Sequence, residues 1–225
     1  MKKTMILTVL AATAVGALAA LAAQQPAGPP PPMTFFVTSE IGTGNLGGIA
    51  GADARCQRLA AASGAAGAAG RTWRAYLSTQ GAGAVNARDR IGTGPWHGAK
   101  GEMIAANVAD LHGDNERDRN NLYKGSALDE KGNIVPGRGD MPNQHDILTG
   151  SDSLGRAFPA AITEDRTCRN WTYDGDENAG AQVGHNDRNG GGTTSWNSGH
   201  RTPGCSVPAL ARVGGAGRLY CFATN

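Results

Sequence analysis

A mixed α+β fold is predicted, and three observations carry the prediction. One amphipathic helical pattern, Ile49 to Ala62 (IAGADARCQRLAAA), stands early in the chain and brings Ala52, Cys56 and Leu59 onto one face. Short β-rich runs surround it and return at the end: TFFVTS at Thr34–Ser39, TWRAYLS at Thr72–Ser78 and RLYCFA at Arg218–Ala223. The chain as a whole is rich in glycine (34 residues) and poor in aromatics, with four each of Phe, Trp and Tyr. That composition predicts a small core and an irregular antiparallel sheet.

In chain order, residues 1–22 read as a secretory signal. Lys2 and Lys3 give the positive start, Met5 to Ala22 is apolar and small, and Ala20-Leu21-Ala22 offers a cleavage site. Residues 23–33 form a Pro-rich linker, expected to be extended and solvated. The domain proper is expected over residues 34–225. Its first strand precedes a turn-rich stretch, Gly42 to Gly48, and the helix that follows stops at Gly64. TWRAYLS alternates large apolar with polar residues, as a half-buried strand does. Asn86 to Ile91 reads as a short turn or helix. From Gly92 to His145 the period is lost, and short strands and turns lying over the core are expected there, since a structureless loop of that length is rare in a compact domain. Further short strands are predicted at Asp146–Leu148, Asn170–Tyr173, Ser195–Ser198 and Arg218–Ala223.

Charge excludes one class of partner. The whole chain carries a formal +2, from 21 basic and 19 acidic residues. Loss of Lys2 and Lys3 with the signal leaves a balance near zero. No electrostatic reason remains to expect nucleic acid or an acidic membrane surface. No membrane insertion is expected after signal cleavage.

The four cysteines, Cys56, Cys168, Cys205 and Cys221, all follow the signal. In an exported chain an even number implies disulfides, and four allow three connectivities that spacing alone does not separate.

The segment GGIAGADARCQRLAAASG followed by TWRAYLST resembles the opening of the endostatin domain. TGSDSLGR, TCRNWT, SWNSGH, GCS and RLYCFAT continue the likeness in order, from Phe35 to Thr224, with an insertion-like departure between Gly92 and Gln144. The pattern also resembles bacterial exported proteins of the lectin-like kind. The resemblance implies a C-type-lectin-like (endostatin-like) fold with one or two helices. It implies the pairings Cys56–Cys221 and Cys168–Cys205. Function transfers less directly, because one fold hosts many functions.

Against the calcium-dependent sugar site that such lectins carry, Trp196-Asn197-Ser198 lacks the final acid, and Met141-Pro142-Asn143 lacks the acid before proline. Both departures remove charged oxygen ligands, which argues against calcium, although calcium is the one ion the motifs leave open. Asp174, Asp176 and Asn178 alternate like a calcium loop, but Ala179 replaces the turn glycine and His185 the closing Glu. The five histidines show no i, i+4 pair of zinc-protease type. His185 and His200 could meet in space beside His145 and Asp146, and the expectation there is chance proximity without a metal site. Arg138-Gly139-Asp140 is read as a glycine turn. No nucleophile elbow is present, and paired cysteines are not nucleophiles.

The densest polar and aromatic cluster is His185, Asn186, Asp187, Trp196, Asn197 and His200. An exposed indole would offer a face to a sugar ring, with hydrogen bonds from its neighbours. The sequence therefore predicts an exported, non-catalytic module without a cofactor. Its partner would be carbohydrate or a surface protein, and these six residues would form the site. A protein-interaction or envelope-structural module and a hydrolase on the same scaffold are the alternatives.

Overall fold

The computed structural model describes residues 28–114, 119–190 and 192–225. The predicted signal and residues 23–27 of the linker lie outside the described residues. The core begins one residue before the expected boundary, because Met33, read as linker, is already buried.

Strand β1 (Phe35–Val37) leads into helix α1 (Gly48–Ala62) and strand β2 (Trp73–Ala75). A 3-10 turn (Ala87–Asp89), the paired strands β3 (Trp96–His97) and β4 (Met103–Ala105), and helix α2 (Val108–His112) follow. Then come β5 (Asp146–Leu148), a single helical turn α3 (Cys168–Trp171), β6 (Gln182–His185), β7 (His200–Arg201), α4 (Val207–Ala211) and β8 (Gly215–Ala223). The fold is mixed α+β with few helices and an irregular sheet, as the composition predicted, but the sheet is not antiparallel throughout, because β5 runs parallel to β8. Among the described residues, no helix is long and apolar enough to cross a membrane.

The main sheet runs β1-β8-β5-β6-β7, with β2 also on β8. β8 is its hub: all nine residues are buried, and β1 and β2 pair antiparallel to its far half while β5 runs parallel to its near half. Both faces of the sheet are covered. On one face, α1 packs with Phe36, Trp73, Leu77, Leu148, Trp171, Val183 and Leu219. On the other, Phe35, Tyr76, Ile147, Trp196, Tyr220 and Phe222 pack against Trp96, Ile104, Leu111 and Leu122. The aperiodic stretch after Gly92 thus supplies a second layer of core. Its periodicity is illegible because its apolar residues sit on strands of two or three residues, a five-residue helix and turns.

The helix signature is explained by what it ties down. Ala52, Cys56 and Leu59 are buried as expected, and Gly64 takes the left-handed conformation (φ 73°) that ends helices. One turn apart on the helix, Asp53 accepts from the Ala75 amide at 2.9 Å and Gln57 accepts from the Trp73 amide at 3.0 Å. Arg90 closes on the second Asp53 oxygen at 2.6 Å. These bonds fix β2 against α1.

Both disulfides are present, and they pair Cys56 with Cys221 and Cys168 with Cys205. The outer one joins α1 to β8. The inner one holds α3, whose four residues, none of them glycine, all have positive φ (47° to 68°). Asn170–Tyr173, predicted as a strand, therefore begins inside a left-handed turn and is not a strand. Such a turn costs roughly 1–2 kcal/mol per residue. It is offset locally by the Asp165 carboxylate, which accepts from the Thr167 and Arg169 amides, and by the Trp171 indole, which donates to Ser78 O at 2.8 Å. Ser195–Ser198 is also not a strand. The chain bends there, and pairing resumes at His200.

Candidate metal centre

Sheet register brings the site together. Asp146 on β5 lies directly opposite His185 on β6. His200 on β7 lies opposite Val183, two residues from His185 and on the same face. His145 precedes β5 and is held there by its carbonyl, which accepts from the Asn186 amide at 3.0 Å.

The Nε2 atoms of three histidines converge on one carboxylate. His145 and His185 each stand 3.3 Å from Asp146 Oδ1, and His200 stands 3.3 Å from Asp146 Oδ2. The ligand atoms of His145, Asp146 and His185 all lie within 4.8 Å of one another. His200 approaches the other oxygen but stands outside that group of three.

The opposite edges of the imidazoles face acceptors. His145 Nδ1 meets Asp187 Oδ1 at 2.9 Å, His185 Nδ1 meets Thr193 O at 3.1 Å, and His200 Nδ1 meets Arg201 O at 3.4 Å. Acceptors at Nδ1 favour the proton there, the tautomer in which Nε2 can bind a cation. Asp187 is firmly held as an anion. Burial alone would raise its pKa, but hydrogen bonds from His145 and from the Arg138 and Asn189 amides lower it to about 2. Burial lowers the pKa of His185, against the pull of Asp146. Asp146 raises that of His200.

Glycines hold the rings in place. A Cβ on Gly190 would run into the His185 ring, and one on Gly199 would lie 3.0 Å from it. The His145 and His185 rings stack at 4.6 Å. A pocket of about 250 Å³ opens over the cluster, lined by Arg138, Asn143, Thr193 and Val213 beside the three histidines.

The six residues predicted as a sugar site separate into two groups. His185 and His200 face the pocket, and Asp187 stands behind it as the partner of His145. Trp196 does not: it is 1% exposed and packs against Tyr76, His112 and Tyr220, so it offers no face to a sugar. Asn197 is buried too, donating to Tyr76 Oη at 2.9 Å and to the Asp152 and Ser153 carbonyls. Asn186 is wholly buried. The exposed-indole expectation is corrected accordingly: the indole is worth more in the core than at the surface.

Sequence reasoning set His145 and Asp146 beside His185 and His200 but expected chance proximity there and left both out of the site. Their arrangement depends on a cross-strand register that no linear spacing displays. Each imidazole in the cluster has a partner at its other nitrogen. In the Asp174–Asn178 stretch, Asp176 accepts from the Cys205 and Ser206 amides and holds that turn. Set beside models of known protein families and beside curated proteins, the chain matches none.

Proposed function

We propose that this chain is an exported binding module of C-type-lectin-like fold whose ligand-binding centre is a divalent transition-metal ion. His145, Asp146 and His185 would hold the ion, leaving its fourth position open toward the pocket and His200. One observation carries the reading. Both Asp146 oxygens are buried without a well-aligned hydrogen bond, and the Nε2 atoms of three histidines stand 3.3 Å from them. A buried carboxylate without such a bond is costly. A cation held between the carboxylate and neutral imidazoles relieves that cost.

The spacing supports this. Tetrahedral zinc with bonds of about 2.0–2.1 Å separates its donors by about 3.3 Å. Imidazole nitrogen suits zinc, copper or nickel, whereas calcium takes oxygen ligands. The calcium option therefore gives way to a nitrogen-rich transition-metal site. The pocket over a half-exposed His200 leaves the ion approachable, as in sites that take an exogenous ligand rather than closed structural ones. The carbohydrate or cell-surface ligand expected from the sequence would enter here and not at Trp196. Two disulfides fit an oxidising compartment and so favour export.

The test is calorimetric titration of chelator-stripped protein with zinc. We expect one ion per chain, with affinity reduced ~100-fold or more in His185→Ala and in Asp146→Asn. Circular dichroism would establish that the variants remain folded. Folded wild-type protein that takes up no zinc, copper or nickel would refute the reading.

A further inference from the structure

We infer that the pocket's ligand is an oxyanion, gripped by the metal ion on one side and by the Arg138 guanidinium on the other. The inference rests on the metal reading above and names the ligand class for that site.

The pocket's lining decides its sign. Arg138, Asn143, His145, His185, Thr193 and His200 supply its polar groups, and no Asp or Glu lines it among the described residues. Asp146 lies beneath the imidazoles. Asp187 is turned away, with its oxygens committed to His145 Nδ1 and to the Arg138 and Asn189 amides. A dication set on one carboxylate and neutral imidazoles keeps a net positive charge toward the opening. Arg138 adds a second positive charge, and its side chain makes no ion pair among the described residues.

The backbone of Arg138 is also held in position. Its amide donates to Asp187 Oδ2 at 2.7 Å, so the carboxylate that orients His145 anchors the arginine as well. One residue earlier, the Gly137 amide donates to Asp140 at 2.8 Å, and Lys124 pairs with Asp140 at 2.6 Å. The acid of the Arg138-Gly139-Asp140 tripeptide is thus spent on its own turn, and the arginine stands at the mouth of the metal pocket. A guanidinium fork matches the geometry of carboxylate and phosphate. A neutral hydroxyl would have to displace metal-bound water without compensation of charge.

At about 250 Å³ the cavity admits an anionic end group or a single acidic sugar ring, not an extended chain. The test uses zinc-loaded protein titrated with sodium glucuronate, with glucose as its neutral counterpart, and with inorganic phosphate. Zinc content is measured by mass spectrometry before and after each titration. Glucuronate should bind at least ~10-fold more tightly than glucose, and Arg138→Gln should lose ~10-fold in glucuronate affinity with zinc content unchanged. Phosphate binding with the same dependence on Arg138 would support the inference and assign the anion's source as phosphate. Retained zinc with no anion binding, or with binding indifferent to Arg138→Gln, would overturn the inference and leave the metal centre standing. Protein that never holds zinc would overturn both.

Discussion

Removing the inner disulfide, by Cys168→Ala with Cys205→Ala, tests how a glycine-rich chain keeps a left-handed turn. The bond closes 37 residues, and the outer one closes 165. Loop entropy gives about 4 kcal/mol for the first and about 5 kcal/mol for the second, as upper bounds. The inner bond also sits on α3, where Cys168 has φ 47°. Gly44 lies against it: a Cβ there would run into Cys168 Sγ and come within 2.9 Å of Cys205 Cβ, while the Gly44 amide donates to Cys205 O at 2.8 Å. Urea denaturation followed by circular dichroism should show the double variant losing about 3–4 kcal/mol. Gly44→Ala should be strongly destabilising alone and cost less in the double variant, because the obstructing sulfur is gone. A domain total of about 5–15 kcal/mol leaves little room for losing both bonds. A loss under ~1 kcal/mol for the double variant, with Gly44→Ala costing the same in both backgrounds, would refute this mechanism.

Trp196→Ala should destabilise by about 3–5 kcal/mol in chemical denaturation, whereas Trp196→Phe should fold and bind zinc like the wild type. Asp187→Ala should weaken zinc binding ~10- to 100-fold by freeing the His145 ring, and Gly190→Ala should do likewise by displacing His185, both readable by competition with a chromogenic chelator. His112 is buried between Tyr76 Oη at 2.8 Å and Val108 O at 2.9 Å. Burial lowers its pKa from 6.5 to about 4, so the folded protein holds it neutral. Stability from this group is complete above pH 6.5 and is lost as the pH falls toward 4, by on the order of 3 kcal/mol. Urea midpoints across that range should fall less steeply in His112→Gln, and equal slopes would count against the assignment.

Local pattern revealed the scaffold where one element's residues carry their own signal. Ala52, Cys56 and Leu59 repeat at helical spacing because one helix buries them against one sheet, and the Phe35–Phe36 pair reads as strand because both faces of that strand are buried. Trp171 and Tyr173 mimic a strand in composition. The backbone there is instead set by Thr167, Asp165 and the inner disulfide, whose partner lies far along the chain. The candidate centre is harder still to read. Asp146, His185 and His200 become neighbours only through the β5–β6–β7 register. A search for i, i+4 histidines cannot see that arrangement. Trp196 misled because an aromatic next to Asn and His fits a sugar platform and a core layer equally well in sequence, and only burial separates the two.

The most direct measurement is a crystal of protein grown with zinc, with diffraction recorded just above and just below the zinc absorption edge. We expect one anomalous peak per chain that vanishes below the edge, placed about 2 Å from the Nε2 atoms of His145 and His185 and from an Asp146 oxygen. No peak at these side chains in zinc-grown crystals, with Asp146 still facing three bare imidazoles, would contradict the metal centre.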